Sequence, residues 1–247
     1  MTLDLVARLR AAGCVFAEEE AALLVASPRF SEDLVERRIS GEPLEYVLGW
    51  AAFMDARYLI EPGVFIPRHR TEFLVRSAAA GAPESPVILD LCCGTGALGL
   101  ALLSLAGGTL VAADIDPVAV RCARANGADA YTGDLFDAVP SSLRGRVDVL
   151  LANTPYVPTA AIAFLPGEFR EHEARAALDG GSDGLDLQRR VAAAASTWLA
   201  PGGVIYVEAS EEQAPVSAAL FEATGLSVRI LADEDTTIVA ARSSPHR

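Results

Sequence analysis

The sequence predicts an α/β protein: a seven-stranded, mostly parallel sheet with an antiparallel last strand, wound with helices on both faces. A small helical N-terminal part and a β-hairpin connector precede it. Three observations carry this expectation. From residue 86 onward, short apolar runs alternate with helix-period segments, the pattern of repeated strand–helix units. The first run is followed by the glycine-rich "CCGTG" at 92–96, a tight strand-to-helix turn. The last two runs, "LSVRIL" and "TTIVAAR", are joined only by "ADED", too short for a crossover and sufficient for an antiparallel pair.

Taken in order, residues 1–40 read as short helices forming a substrate-docking part. Leu3, Val6 and Leu9 share one helical face, and "EEEAALLVAS" repeats the stripe, its Glu18, Glu19 and Glu20 suiting the start of a helix as a solvated run. Residues 41–67 mix aromatic and β-branched residues between Gly and Pro, which predicts a short hairpin. A main domain, 68–247, opens on the helical "TEFLVRSAAA", with Thr71 as its expected N-cap. Strands are then expected at "VILDL", "LVAAD", "ADAYTGD", "VDVLLAN" and "GVIYVEA", the second followed by a helix with Pro117 in its first turn. The helix before "GVIYVEA" is expected to stop at Pro201-Gly202-Gly203.

Composition narrows the chemistry. With 247 residues the chain can bury a full core. Hydrophobic residues reach 51%, much of this alanine, and no run gives the ~18 apolar residues of a spanning helix. The N-terminus lacks the pattern of a signal peptide, so a cytoplasmic protein is expected. Cys14, Cys92, Cys93 and Cys122 show no metal or disulfide spacing, and the adjacent pair reads as small residues packed in a tight loop. Net charge is −13 and all 20 basic residues are arginine. Such a chain offers no basic footprint for phosphates and fits a basic protein partner better than nucleic acid.

In such sheets ligands bind at the carboxyl ends of the strands. Gly94 and Gly96 let the backbone approach a ligand, Asp90 supplies a carboxylate, and Asp114, ending the second strand, is placed for a ribose diol. The pattern departs from the dinucleotide fingerprint, with Cys92 at its first glycine, and read alone is equally a plain tight turn. "GDLFD" places Asp134 to accept from an adenine amino group. The fourth strand stops at "NTPY". There the oxygen of Asn153 and a backbone carbonyl can accept both hydrogens of an –NH₂ group, with Tyr156 packed on the plane carrying it. Alone, the same residues are also an Asn-Pro turn with Tyr as a plug.

"GEPLEYVLGWAAF", "PGVFIPRHRTE", "LDLCCGTGALGLAL", "ADIDPVAVRCARAN", "GDLFD", "NTPY", "ALDGGSDGLDLQRRV" and "WLAPGGVIYVE" together resemble, in order and spacing, the protein-glutamine N5-methyltransferases that modify release factors or a ribosomal protein. These are class I S-adenosylmethionine-dependent methyltransferases with a Rossmann-like sheet. The resemblance implies S-adenosyl-L-methionine as cofactor and a glutamine in a protein substrate as acceptor. Arg68, Thr71, Asp90, Cys92, Gly94, Gly96, Asp114, Ile115, Asp134, Leu135 and Asn153 would surround the cofactor. Asn153, Thr154, Pro155 and Tyr156 would grip the glutamine, with no metal.

Two departures stand out: Thr154 where the family usually has proline, and His69-Arg70 where it usually has Pro-Glu. The alternatives are an N6-adenine nucleic-acid methyltransferase, a relative acting on a small molecule, and a noncatalytic module, which an Asn153 buried away from an open pocket would favour. His69 is expected at the pocket edge, "DGGSDGLD" as a family loop rather than a calcium site, His172 as a surface-loop residue, and His246 in a disordered tail.

Overall fold

A computed structural model describes residues 2–245. The side chain of Leu3 and the whole of His246 lie outside what it describes. Three helices, α1 (Thr2–Ala11), α2 (Ala17–Ala26) and α3 (Glu32–Ile39), enclose an apolar cluster that includes Leu5, Leu9, Ala21, Leu24 and Leu34. Leu9 comes from the expected stripe and Val6 packs against the cluster partly buried, while Leu5 and Leu34 were not part of that stripe; Ser31 caps α3 by accepting from the Leu34 N–H. The glutamate run is not wholly solvated. Glu20 is buried, and its carboxylate takes 2.6 and 3.1 Å hydrogen bonds from Arg38. The charge pays its burial cost through that pairing.

The connector is not purely strand. Residues Leu44–Leu48 form a short helix, α4, entered after Pro43 and closed by Gly49 at φ +80. It buries Tyr46, Val47 and Leu48. Their aromatic and β-branched character had pointed to strand, but packing decides such marginal segments. The hairpin follows as β1 (Trp50–Phe53) and β2 (Ala56–Leu59), paired antiparallel. Helix α5 (Glu72–Gly81) lacks the expected cap: Thr71 makes no side-chain capping bond, because its hydroxyl donates instead to Glu208 at 2.6 Å.

From there β3 (Val87–Leu91), α6 (Ala97–Ala106), β4 (Thr109–Asp114), α7 (Pro117–Ala125), β5 (Asp129–Thr132) and β6 (Val147–Ala152) alternate as predicted. After the short α8 (Gly167–His172) come α9 (Asp186–Trp198), β7 (Leu199–Ala209), α10 (Ala214–Glu222), β8 (Ser227–Ala232) and β9 (Thr237–Arg242). Strand β7 starts four residues before the expected stop at Gly203. A register shift between Val147 and Val149 lets Leu199 join the ladder opposite Val147.

The seven strands lie in the order β5-β4-β3-β6-β7-β9-β8, with β9 antiparallel to both neighbours. Helices α5, α6 and α7 cover one face through Leu74, Leu102 and Val120; α9 and α10 cover the other through Val191, Trp198 and Phe221. The chain runs outward from β3 to β5, then returns to place β6 on the other side of β3. This reversal opens a crevice above the carboxyl ends of β3 and β6. No described helix is long and apolar enough to cross a membrane.

Candidate functional site

A cavity of about 820 Å³ occupies that crevice. Its floor begins with β3. Asp90 is buried and accepts a 2.9 Å bond from the Gly99 N–H at the start of α6. Glycine is required there, since a Cβ on Gly99 would stand 2.9 Å from the Asp90 carboxylate. Burial pushes the Asp90 carboxyl up to about 7; the Gly99 N–H opposes this and the Asp114 charge adds to it. Cys92 and Cys93 line the same turn, and burial holds both thiols well above their ordinary range as neutral groups. Gly94, at φ +53, turns the chain so that its N–H donates to Asp114 at 2.9 Å. Gly96 is also left-handed, but a Cβ there would meet Ala123 at 3.2 Å; it packs against α7 and does not line the cavity.

Strand β4 contributes Asp114, whose second oxygen accepts from the Asp116 N–H at 2.9 Å. Burial raises its pKa and the backbone donors pull it back. Beside it, Ile115 is 62% exposed on the cavity wall. Beyond β5, Asp134 and Leu135 close this end, with Asp134 paired to Arg190 of α9 at 2.7 Å.

Strand β6 supplies the other end. Ala152 pairs with Val207, so Asn153, the first residue past β6, stands beside Glu208, the penultimate residue of β7. Asn153 is half-buried on the cavity wall, and its carboxamide makes no hydrogen bond to any described residue. It is not buried away from the opening, which removes the observation that would have favoured a noncatalytic module. Tyr156 is fixed at its hydroxyl, which donates to Glu208 at 2.7 Å and accepts from Arg70 at 2.9 Å. Burial first, and then the Glu208 charge, raise its pKa and keep the phenol neutral.

The backbone of this turn is clamped from behind. The Gly180 N–H donates to the Val157 carbonyl at 2.9 Å, and Gln213 donates to the Tyr156 carbonyl at 2.9 Å. A Cβ on Gly184 would come within 2.2 Å of that carbonyl, so the "DGGSDGLD" loop is glycine-rich because it presses on the turn. The hydroxyl of Thr154 is buried with no partner among the described residues.

A roof closes over the cavity. The Arg68 guanidinium carbon lies 3.9 Å from the Phe169 ring centroid and 4.6 Å from that of Phe65, and Arg68 pairs with buried Glu173 at 2.6 Å. Of the residues singled out from sequence, Arg68, Asp90, Cys92, Gly94, Asp114, Ile115, Asp134, Leu135, Asn153, Thr154, Pro155 and Tyr156 all line the cavity; Thr71 and Gly96 do not. Thr71 lies buried behind it, on Glu208. His69 is not at the pocket edge either: its side chain is 78% exposed and faces Glu72. Sequence reasoning missed Glu208, Glu173 and Arg190. Glu208 had a signal, being a carboxylate at the carboxyl end of the strand beside Asn153.

A doubly wound sheet with β9 reversed between β7 and β8, and its crevice above β3 and β6, has the architecture of the class I S-adenosylmethionine-dependent methyltransferases. A solved E. cuniculi Mtq2–Trm112 complex, described as responsible for methylating the eRF1 translation termination factor, shares this fold. Its TM-score is 0.54 at 20% identity, over 74% of this chain and 99% of that one. The model of the ribosomal protein L11 methyltransferase (PrmA) family matches residues 74–157. The chain belongs to the family of release factor glutamine methyltransferases. The Geobacter sulfurreducens enzyme of that name is 39% identical over 199 residues, 78% of this chain and 69% of that protein. A Streptomyces pristinaespiralis protein named 4-amino-L-phenylalanine/4-methylamino-L-phenylalanine methyltransferase is 36% identical over 210 residues, 80% of this chain and 71% of its own length.

Proposed function

We propose that the protein methylates the side-chain nitrogen (N5) of a glutamine in a protein acceptor, with a translation release factor as the candidate. The observation that carries this reading is the Asn153 carboxamide, unpartnered among the described residues and set on the cavity wall by a clamped turn.

The residues fit S-adenosylmethionine. Asp90 offers a carboxylate for the ammonium of its methionine portion, and Gly94 has room, since a Cβ there would meet nothing closer than 3.8 Å. Each oxygen of Asp114 accepts one backbone N–H and keeps a lone pair for a ribose hydroxyl. Ile115, Leu135 and Cys92 give apolar walls for a flat base, with Asp134 at its rim and Arg68 in the roof above. The bound cofactor supplies a methyl group activated on a sulfonium.

The chain's own residues do the rest. An amide nitrogen is a poor nucleophile. Accepting its two hydrogens, at the Asn153 oxygen and the Thr154 carbonyl, fixes the group and stabilises positive charge growing on it. Tyr156 packs on the amide plane, held by Glu208 and Arg70. Glu208 is occupied by Thr71, Tyr156 and Arg70, so it orients Tyr156 and is not placed as a base. The extra proton leaves to water after transfer. The helical part at 1–40 serves as the docking surface for the protein acceptor, joined to the roof through the 3.2 Å contact between Arg38 and Glu168.

The test separates binding from transfer. Asn153→Ala should cut methyl transfer to a purified release factor by roughly 10²-fold or more while S-adenosylmethionine binding by calorimetry stays within a few-fold. Loss of both would show that Asn153 holds the cofactor instead. A second reading, transfer to the amine of a free amino acid, is favoured by the similarity to the S. pristinaespiralis protein. Under that reading, amino acids bearing an amine would be methylated and the release factor would not.

A further inference from the structure

Three arginines line the cavity, and they are not equivalent. Arg68 gives its Nη2 to both oxygens of Glu173 at 2.6 and 2.7 Å and lies against two rings in the roof, its side chain largely buried. Arg190 holds Asp134 at 2.7 Å. Arg70 stands at the acceptor end, beside Tyr156, with its side chain 44% exposed. Its Nη2 donates to the Tyr156 hydroxyl at 2.9 Å, while its Nε is only 3.4 Å from Glu208. That carboxylate is already engaged by stronger donors, Thr71 at 2.6 Å and Tyr156 at 2.7 Å. Nη1 has no partner among the described residues. Nη1 and the second hydrogen of Nη2 are therefore a fork of donors without partners among the described residues, on a half-exposed side chain that lines the cavity. Such a fork matches a carboxylate, two parallel charge-assisted hydrogen bonds in one plane. Glu208 fixes the fork's position from behind through the shared Tyr156 hydroxyl. A chain carrying a net charge of −13 gains nothing in general from attracting anions, so an open arginine inside its cavity calls for a local reason.

We propose that Arg70 makes the acceptor end of the cavity a receptor for a carboxylate carried close to the nitrogen that is methylated. The acceptor then belongs to a defined class: an amide or amine with a free carboxylate a few bonds away. Two sources share this chemistry, an acidic residue flanking a glutamine in a peptide and the α-carboxylate of a free amino acid. This inference rests on the methyl-transfer reading for its location and on Arg70 for its selectivity.

The experiment measures acceptor binding and turnover separately. In one arm, blocked peptides with Gln next to Asp are compared with the same peptides carrying Asn instead of Asp. In the other, a free amino acid with a side-chain amine is compared with its carboxamide. Each binds to enzyme saturated with S-adenosylhomocysteine, by calorimetry. The carboxylate form should bind roughly tenfold or more tightly in at least one arm. Arg70→Gln should bring that ratio close to one, and Arg70→Lys should restore part of it. A preference confined to one arm supports the proposal and assigns the carboxylate's source. Equal binding of both forms in both arms overturns it, as does a preference that survives in Arg70→Gln. Turnover with labelled S-adenosylmethionine reads the other question: preference without any methyl transfer leaves the receptor standing and removes the methylation reading, whereas transfer without preference does the reverse.

Discussion

Burial sets the titration of Asp90 apart from that of an exposed carboxylate. Its pKa near 7 lies above the ~3.9 of an exposed Asp, so between about pH 4 and 7 the folded protein holds a proton that the unfolded chain has lost. Stability from this group is therefore greatest at the acid end of that window and falls as pH rises through it. Under the proposed role of Asp90 as partner of the S-adenosylmethionine ammonium, binding runs the opposite way, because that pairing requires the charged form. Its affinity should rise with pH below about 7, by up to roughly tenfold per unit, and binding should release a proton. Calorimetry in two buffers of different ionisation enthalpy would show this; a heat independent of buffer and a flat affinity would contradict it. Thr154 offers a simpler check. Its buried hydroxyl has no described partner, so Thr154→Val should stabilise the protein by about 1 kcal/mol in urea unfolding. At this scale the sequence was informative where a residue ends a strand: Asp90, Asp114 and Asn153 all stand where strand-end logic put them. It was silent on pairing, because Glu208 and Glu173 meet Tyr156 and Arg68 only through contacts between segments far apart in the chain.

The glycine-rich loop at 179–186 acts as a brace for the turn that carries Asn153. Gly184, at φ +81, leaves 2.2 Å between a hypothetical Cβ and the Tyr156 carbonyl. Gly184→Ala should therefore displace the turn and combine steric and backbone strain of about 2–4 kcal/mol. Chemical unfolding reads the stability loss, and transfer should fall further than cofactor binding does, because the brace touches the acceptor side. An unaltered melting curve would mean the loop is free to move away. The loop's glycines were visible in sequence, but their purpose was not: which backbone they press against depends on a tertiary fit. The same applies to α4, where local composition favoured strand and the burial of Tyr46, Val47 and Leu48 favoured a helical turn.

Across the whole molecule, the mostly parallel, doubly wound sheet follows from the alternation of apolar runs and helical segments, and the reversed β9 from the four-residue link before it, whereas the order of the strands is visible only in the structure. What no periodicity reveals is how the helical part joins the catalytic crevice. Arg38 makes that connection, bonding Glu20 within the helical cluster and Glu168 in the roof. Replacing it by alanine leaves Glu20 buried without a partner and should cost about 3–5 kcal/mol. If the helical part docks the acceptor, turnover on an intact protein acceptor should suffer more in this variant than turnover on a short glutamine peptide.

In the proposed reaction the Asn153 end of the cavity presents a glutamine nitrogen for methylation. The most direct test is tandem mass spectrometry of a release factor incubated with the wild-type enzyme and isotopically labelled S-adenosylmethionine. One labelled methyl group on a glutamine side-chain nitrogen is the expected result. Efficient binding of the cofactor with the label on another residue type, or on no residue of the acceptor, would contradict it.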